Sequence, residues 1–330
     1  MINFKTDLLA FSLSIILSVA LGFLIIPLLR RLKAGQNILG YVDNHAQKAG
    51  TSTMGGFIFA ISTVFIFIFF SSGSADYSII SLVVSLCFLI VGFLDDFIKI
   101  KSRSNQGLTA RQKIVFQIVI SILTAIFIYS KGNTHFFIPF YNKYVNFGFW
   151  SAFIIFFVFL ATTNCVNLTD GLDGLAGGVS YVYLLISYLL INVQLKCFSN
   201  NFVNLQEGAN LALLTLIQAG SIIGYLLFNT FSASVFMGDT GSLYLGGIIA
   251  TTAIFSSNTL FIPFLGIMFV LSGISVIVQV LVYKKSKKRV FLMAPLHHHF
   301  EYKGYSESKI VFAYKLITLI VGLFCIITVL

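Results

Sequence analysis

Charged residues make up only 10% of this 330-residue chain, and four prolines and four cysteines are scattered through a composition that is 58% apolar and 15% aromatic. With so little charge and a mean hydropathy of +0.95, a soluble globular domain is excluded and the chain belongs in a membrane. Cys87, Cys165, Cys197 and Cys325 lack the paired spacing of a metal site or redox motif, which leaves them as packing residues. No small-residue cleavage site precedes the basic cluster Arg30, Arg31 and Lys33, so the first apolar run reads as a retained helix and not as a secretory signal. A net charge of +10 would suggest nucleic acid in a soluble protein. In a membrane protein the question is how that charge divides between the two faces, and no nucleic-acid partner is expected.

Apolar runs of spanning length are abundant. A helix crosses ~30 Å of hydrocarbon with roughly 20 residues. Ten runs approach that length, at 8–29, 55–72, 77–94, 114–130, 149–164, 174–192, 209–228, 241–257, 259–283 and 309–330. The expected fold class is an all-α polytopic membrane protein, a single integral-membrane domain over 1–330 with about ten transmembrane helices. Alternating spans sort the loops into two faces, one with 16 basic residues and the other with four. The positive-inside rule makes the basic face cytoplasmic and puts both termini on the outer face. Asp43, Asp95, Asp96, Asp170, Asp173, Asp239, Glu301 and Glu307 fall on that same face, which the rule does not require. The active site is therefore expected at the cytoplasmic face.

Three stretches concentrate the chemistry: "FLDDFIK" ends the third run, "NCVNLTDGLDGLAGG" joins the fifth and sixth, and "VFMGDTGSLYLGG" leads into the eighth. Carboxylates with oxygen ligands nearby suit a hard cation such as Mg²⁺, which keeps several waters and is commonly shared with substrate phosphates. Helix capping competes with that reading at Asp173 and Asp239, each just ahead of an apolar run. Asp95 and Asp96 fit capping poorly, because adjacent carboxylates at a helix C-terminus oppose the macrodipole and repel each other. Lys99 and Lys113 can supply compensating charge, as can a metal or a raised pKa suited to a general base. Asn164, Asn167, Asp170 and Asp173 recur every third residue, so in a helix or turn they lie near one face.

The triplet His297, His298 and His299 invites a zinc site, but successive helical side chains point ~100° apart and cannot all face one ion. Taken alone, the triplet would be a pH-sensitive solvated loop. Its place on the same face as every candidate catalytic carboxylate favours contacts to phosphate or to a sugar donor, with at least one ring turned inward for packing. The basic run "YKKSKKR" at 283–289 serves as a topology signal and could also attract anionic headgroups or nucleotide.

Together with "FNTFSASVFMGDTGSLYLGG", "MAPLHHHFE" and "KAGTSTMGG", these stretches resemble the polyprenyl-phosphate N-acetylhexosamine-1-phosphate transferase superfamily. Within it, the last two look like the phospho-N-acetylmuramoyl-pentapeptide transferases. The resemblance implies a multi-pass enzyme of the bacterial cell membrane. Its reaction passes phospho-MurNAc-pentapeptide from UDP-MurNAc-pentapeptide to undecaprenyl phosphate with Mg²⁺ present, giving lipid I and UMP. By motif, Asp95 and Asp96 correspond to an essential aspartate pair and Asp239 to the metal ligand. Asn167, Asp170 and Asp173 correspond to a loop making nucleotide and catalytic contacts, and Lys48, Lys99, Lys113 and Asn229 also fall on motif positions. Ser52, Cys165 and Ser232 depart from the family pattern, without removing a functional side chain. Asp95 is the expected base toward the lipid phosphate, Asp96 is expected to help set the local field or position the lipid, and attack is expected to be direct. A sibling transferase using a UDP-N-acetylglucosamine-type donor is the nearest alternative. A secondary transporter is remote, since no carboxylate lies in the centre of a span. A homodimer is left open.

Overall fold

The computed structural model describes residues 4–32, 51–102, 104, 106–198 and 205–330. Lys48 lies outside the described residues. The helices are α1 (Phe4–Arg31), α2 (Gly56–Phe70), α3 (Asp76–Ser102), α4 (Ala110–Ser130), α5 (Trp150–Thr169), α6 (Leu175–Cys197), α7 (Leu205–Asn229), α8 (Gly238–Phe255), α9 (Ile262–Leu265), α10 (Ile267–Ser286), α11 (Leu296–Tyr302) and α12 (Glu307–Ile327). A short antiparallel hairpin, β1 (His135–Ile138) with β2 (Lys143–Asn146), follows α4 and pairs Phe136 with Val145. The protein is thus an all-α, multi-pass membrane bundle. Eight helices are long and apolar enough to cross a bilayer: α1, α3, α4, α5, α6, α7, α10 and α12. The other two expected spans coincide with α2, an apolar helix of 15 residues, and α8, an 18-residue helix whose first turn carries Asp239.

The bundle is built around α8, in which every residue from Thr240 to Phe255 is buried. Lipid tails are as apolar as the side chains, so helices in a bilayer associate through close packing, which small residues permit. A Cβ on Gly92 of α3 would overlap the Asp239 carbonyl, and one on Gly246 of α8 would overlap Thr163 of α5. Gly56 of α2 meets Gly241 of α8 in the same way. These glycines let α3, α5 and α2 press directly against α8. A second layer packs α7 on α1, α2 and α6, with α12 against α6 and α10 against α5.

The ninth expected span, 259–283, is interrupted. A 3₁₀ turn at Thr259–Phe261 and the short α9 end at Gly266, and α10 starts afresh at Ile267. Toward the aspartates, α3 and α5 extend past their apolar runs, to Ser102 and Thr169, carrying Asp95, Asp96, Lys99 and Asn167 into helical turns. At the opposite end of the bundle, Glu207 and Asn210 bind backbone groups of the segment leading into α3. Glu207 accepts from the amides of Asp76 and Tyr77 at 3.1 Å, capping α3, and Asn210 donates to the Ser72 and Ser74 carbonyls.

Candidate active site

The C-terminal ends of α3, α5 and α7 and the N-terminal ends of α4, α6 and α8 meet at one end of the bundle, where nearly all the candidate site residues gather. Asp95 and Asp96 occupy the late turns of α3 and are 3% and 2% exposed, so each needs a partner. Lys99, one turn on, pairs with Asp95 and reaches Asp239 Oδ2 at 3.1 Å. Lys113, in the first turns of α4, approaches the same Asp239 oxygen at 2.7 Å. Asn167 Nδ2 donates to the other oxygen, Oδ1, at 2.7 Å, and to Ser242 Oγ at 2.8 Å. Asp239 is therefore gripped by α3, α4 and α5 at once.

Asp96 is occupied differently. Its Oδ1 accepts from the Asp239 amide at 3.3 Å, and its Oδ2 accepts from the Thr240 amide at 3.0 Å and the Thr240 hydroxyl at 2.6 Å. It caps the N-terminus of α8 from another helix, where a carboxylate also complements the positive end of the macrodipole. Gly238, at φ +70°, precedes this cap. A side chain there would adopt an unfavourable conformation and strike both Asp96 and Thr53. Asp95 Oδ1 accepts from the Leu108 amide at 2.9 Å, so one carboxylate also ties down the segment entering α4.

Oxygens of Asp95, Asp96 and Asp239 lie within 4.8 Å of one another. A set of hard oxygen donors at that spacing fits Mg²⁺. Among the described residues no other His, Cys, Asp and Glu side chains form such a group, and the histidine triplet does not.

The α5–α6 turn forms a second wall. Asp173 Oδ2 accepts from the Ala233 amide at 3.0 Å. Asn229 takes the Gly174 amide at 3.2 Å and donates to the Val235 carbonyl at 2.9 Å. These two residues hold the α5–α6 and α7–α8 connections together. The segment carrying Ser52 is held by the same strip of chain, with the Phe236 amide donating to the Ser52 carbonyl at 2.8 Å. Asp170 caps α5, and its carboxyl is pushed up to about 8 by loss of water and then by the negative charges of Asp239, Asp96 and Asp173.

The three histidines have three different surroundings. His297 is fully buried at the start of α11, and neither ring nitrogen has a hydrogen-bond partner. Burial and the neighbouring His298 lower it to about 3, so the ring stays neutral. A Cβ on Gly171 would overlap His297 Nε2 and come within 3.1 Å of His298 Nε2, so both rings sit against the Asp170–Gly171 turn. His298 Nδ1 faces Glu301 Oε2 at 2.9 Å. His299 is turned away, its Nδ1 accepting from the Leu292 amide at 3.1 Å.

Sequence reasoning missed Gln117, fully buried in α4, which receives Asn164 Nδ2 at 2.7 Å. It also missed Thr240 and Ser242, which orient Asp96 and Asn167. A glutamine within the apolar run 114–130 was a visible signal; two hydroxyls in a Gly-rich helix start were not.

A multi-pass membrane bundle with clustered carboxylates and lysines at one end defines a membrane enzyme suited to phosphate chemistry. The chain matches the family model of glycosyl transferase family 4 over residues 78–257. The phospho-N-acetylmuramoyl-pentapeptide-transferase of Clostridium perfringens (strain 13 / Type A) is 41% identical over 319 residues, 96% of each chain. The protein of that name from Thermoanaerobacter sp. (strain X514) is 41% identical over 318 residues, 95% of each chain. A third, from Caldanaerobacter subterraneus subsp. tengcongensis, is 40% identical over 314 residues, 93% of this chain and 94% of the relative. The chain belongs to the phospho-N-acetylmuramoyl-pentapeptide transferase family.

Proposed function

We propose that the protein transfers phospho-MurNAc-pentapeptide from UDP-MurNAc-pentapeptide to undecaprenyl phosphate, releasing UMP and leaving lipid I in the membrane. The observation that supports this site for the chemistry is the convergence of Asp95, Asp96 and Asp239 with Lys99 and Lys113 at one end of the bundle. There a polyprenyl chain can stay in hydrocarbon while its phosphate meets a nucleotide from water.

One oxygen of the lipid phosphate attacks the sugar-linked phosphorus of the donor. The bond from that phosphorus to the bridging oxygen breaks, and UMP departs with the bridging oxygen. One phosphoanhydride replaces another, so catalysis is mostly positioning and charge neutralisation. Asp95 takes the proton of a protonated lipid phosphate. Its pairing with Lys99 keeps it close to the ammonium groups that approach the phosphates. Asp96 holds the start of α8 and thereby orients Asp239. Lys113 and Lys99 offset the repulsion as the two anionic phosphates come together. Asp239 would hold Mg²⁺, with an oxygen of Asp95 or Asp96 close enough to assist. Bound there, the ion supplies positive charge to the reacting phosphates. His297 and His298, with the Asp170–Gly171 turn, form the wall that receives the donor's nucleotide-sugar part.

The test is a pair of incubations of purified protein with Mg²⁺ and undecaprenyl phosphate, one with UDP-MurNAc-pentapeptide and one with UDP-N-acetylglucosamine, following UMP. Release from the first donor alone is expected. Release from the second alone would overturn the assignment.

A further inference from the structure

Gln279 lies well inside α10, in a segment long and apolar enough to cross the membrane. A primary amide there is unfavourable unless its donors and acceptor are paired. Its pairing is specific. Oε1 accepts from the Val290 amide at 3.1 Å and the Phe291 amide at 2.9 Å, while Nε2 donates to the Phe291 carbonyl at 3.2 Å. All three bonds go to the connection between α10 and α11, which contains no helix or strand to satisfy its own backbone.

The next residue is fastened from the other side. The Leu292 amide donates to His299 Nδ1, and Arg289 Nη1 donates to the Leu292 carbonyl at 3.2 Å. An accepting Nδ1 places the ring proton of His299 on Nε2, so this bond needs the neutral ring. The connection is thus strapped to α10 by Gln279 and to α11 by His299. Pro295, three residues after Leu292, is the N-cap of α11, and His297 and His298 follow against the Asp170–Gly171 turn. The contact with Gly171 leaves no room for a methyl group, so a small shift of α11 would change the fit of both rings.

We propose that Gln279 is a positioning residue for the sugar-donor side of the site: it fixes the connection that sets where α11 places His297 and His298. This rests on the transfer reaction proposed above. Among the described residues, the lipid-phosphate side, built by Asp95, Lys99 and Lys113 on α3 and α4, shares no hydrogen bond or ion pair with the strap, so the strap does not set its position. Gln279 therefore separates the two substrates kinetically.

The test uses the full-length protein with Gln279→Met, Gln279→Asn and Gln279→Glu. Methionine fills the space without polar atoms, asparagine keeps the amide but is one methylene short, and glutamate keeps the reach and the two accepted amides. Loss of the strap should raise the KM for UDP-MurNAc-pentapeptide about tenfold in the Met and Asn variants, with the KM for undecaprenyl phosphate within about twofold of wild type. The Glu variant should stay within about threefold for both. Amide exchange at Val290–Leu292 should be faster in the Met and Asn variants and remain slow with Glu. Since asparagine is polar, that variant keeps the test open if Gln279→Met does not accumulate as folded protein. An unchanged donor KM in the Asn variant would overturn the proposal, as would equal rises for both substrates accompanied by a general loss of thermal stability. Wild-type turnover in the same experiment reports separately on the proposed reaction.

Discussion

The two adjacent aspartates of α3 do different work. Asp96 accepts three hydrogen bonds from the start of α8, whereas Asp95 faces Lys99 and one amide of the segment before α4. An Asp96→Asn change forces an NH₂ group or a weaker acceptor against the Thr240 hydroxyl and amide. It should lower stability by about 1–3 kcal/mol as well as activity, read as a fall in Tm in detergent. Asp95→Asn should depress turnover with a smaller change in Tm. Asp170 predicts a pH effect of definite sign. Its carboxyl sits at about 8 in the fold against an ordinary value of 3.8, so the fold favours the protonated form. Stability from this group is fully present below the ordinary value and is lost as pH rises through the folded one. Asp170→Asn should therefore match the pH response of wild type only below about pH 4, gain in Tm on wild type progressively as pH rises from there, and hold a constant advantage above about pH 8. A variant whose Tm difference does not grow with pH would contradict this.

At the scale of elements, the site depends on how closely α3 approaches α8. Gly92 faces the Asp239 carbonyl, a backbone atom that cannot turn aside. Gly92→Ala should part the two helices by a few tenths of an ångström or more, and reduce turnover at least tenfold while the protein still inserts and purifies. The sequence made the spans legible because hydropathy marks them, and it placed Asp95, Asp96 and Asp239 on one face because spans alternate. Hydropathy could not show that α3 runs on to Ser102, since a helix continues through charged residues that pair at i,i+3 and i,i+4, as Lys99 does with Asp96 and Asp95. It also could not show the break at Gly266, because apolar residues flank it on both sides. The seven-residue α11 and the β1–β2 hairpin are too short for a periodic signal. Which histidine turns inward depended on the Gly171 contact, between residues far apart in the chain.

On the scale of the whole molecule, reactive polar groups gather at one end and self-paired ones at the other. From the bias of basic residues we infer that the first end faces the cytoplasm. Cys197 is exposed at the far end of α6, away from the carboxylates, while Cys87, Cys165 and Cys325 sit within helices. A membrane-impermeant maleimide should label Cys197 in spheroplasts and fail to label it in sealed inverted vesicles. The reverse pattern would invert the topology and place the site outside. On the proposed mechanism, the Asp95–Asp96–Asp239 cluster is where phosphate is transferred. The most direct test compares wild type with Asp239→Asn at matched folded concentration, supplied with UDP-MurNAc-pentapeptide, undecaprenyl phosphate and Mg²⁺, and quantifies the lipid-linked pyrophosphate product against UMP. The wild type should yield the two products in equal amounts, and the variant should fall by at least about a hundredfold with its Tm retained. A variant that turns over within a few-fold of wild type would contradict the account.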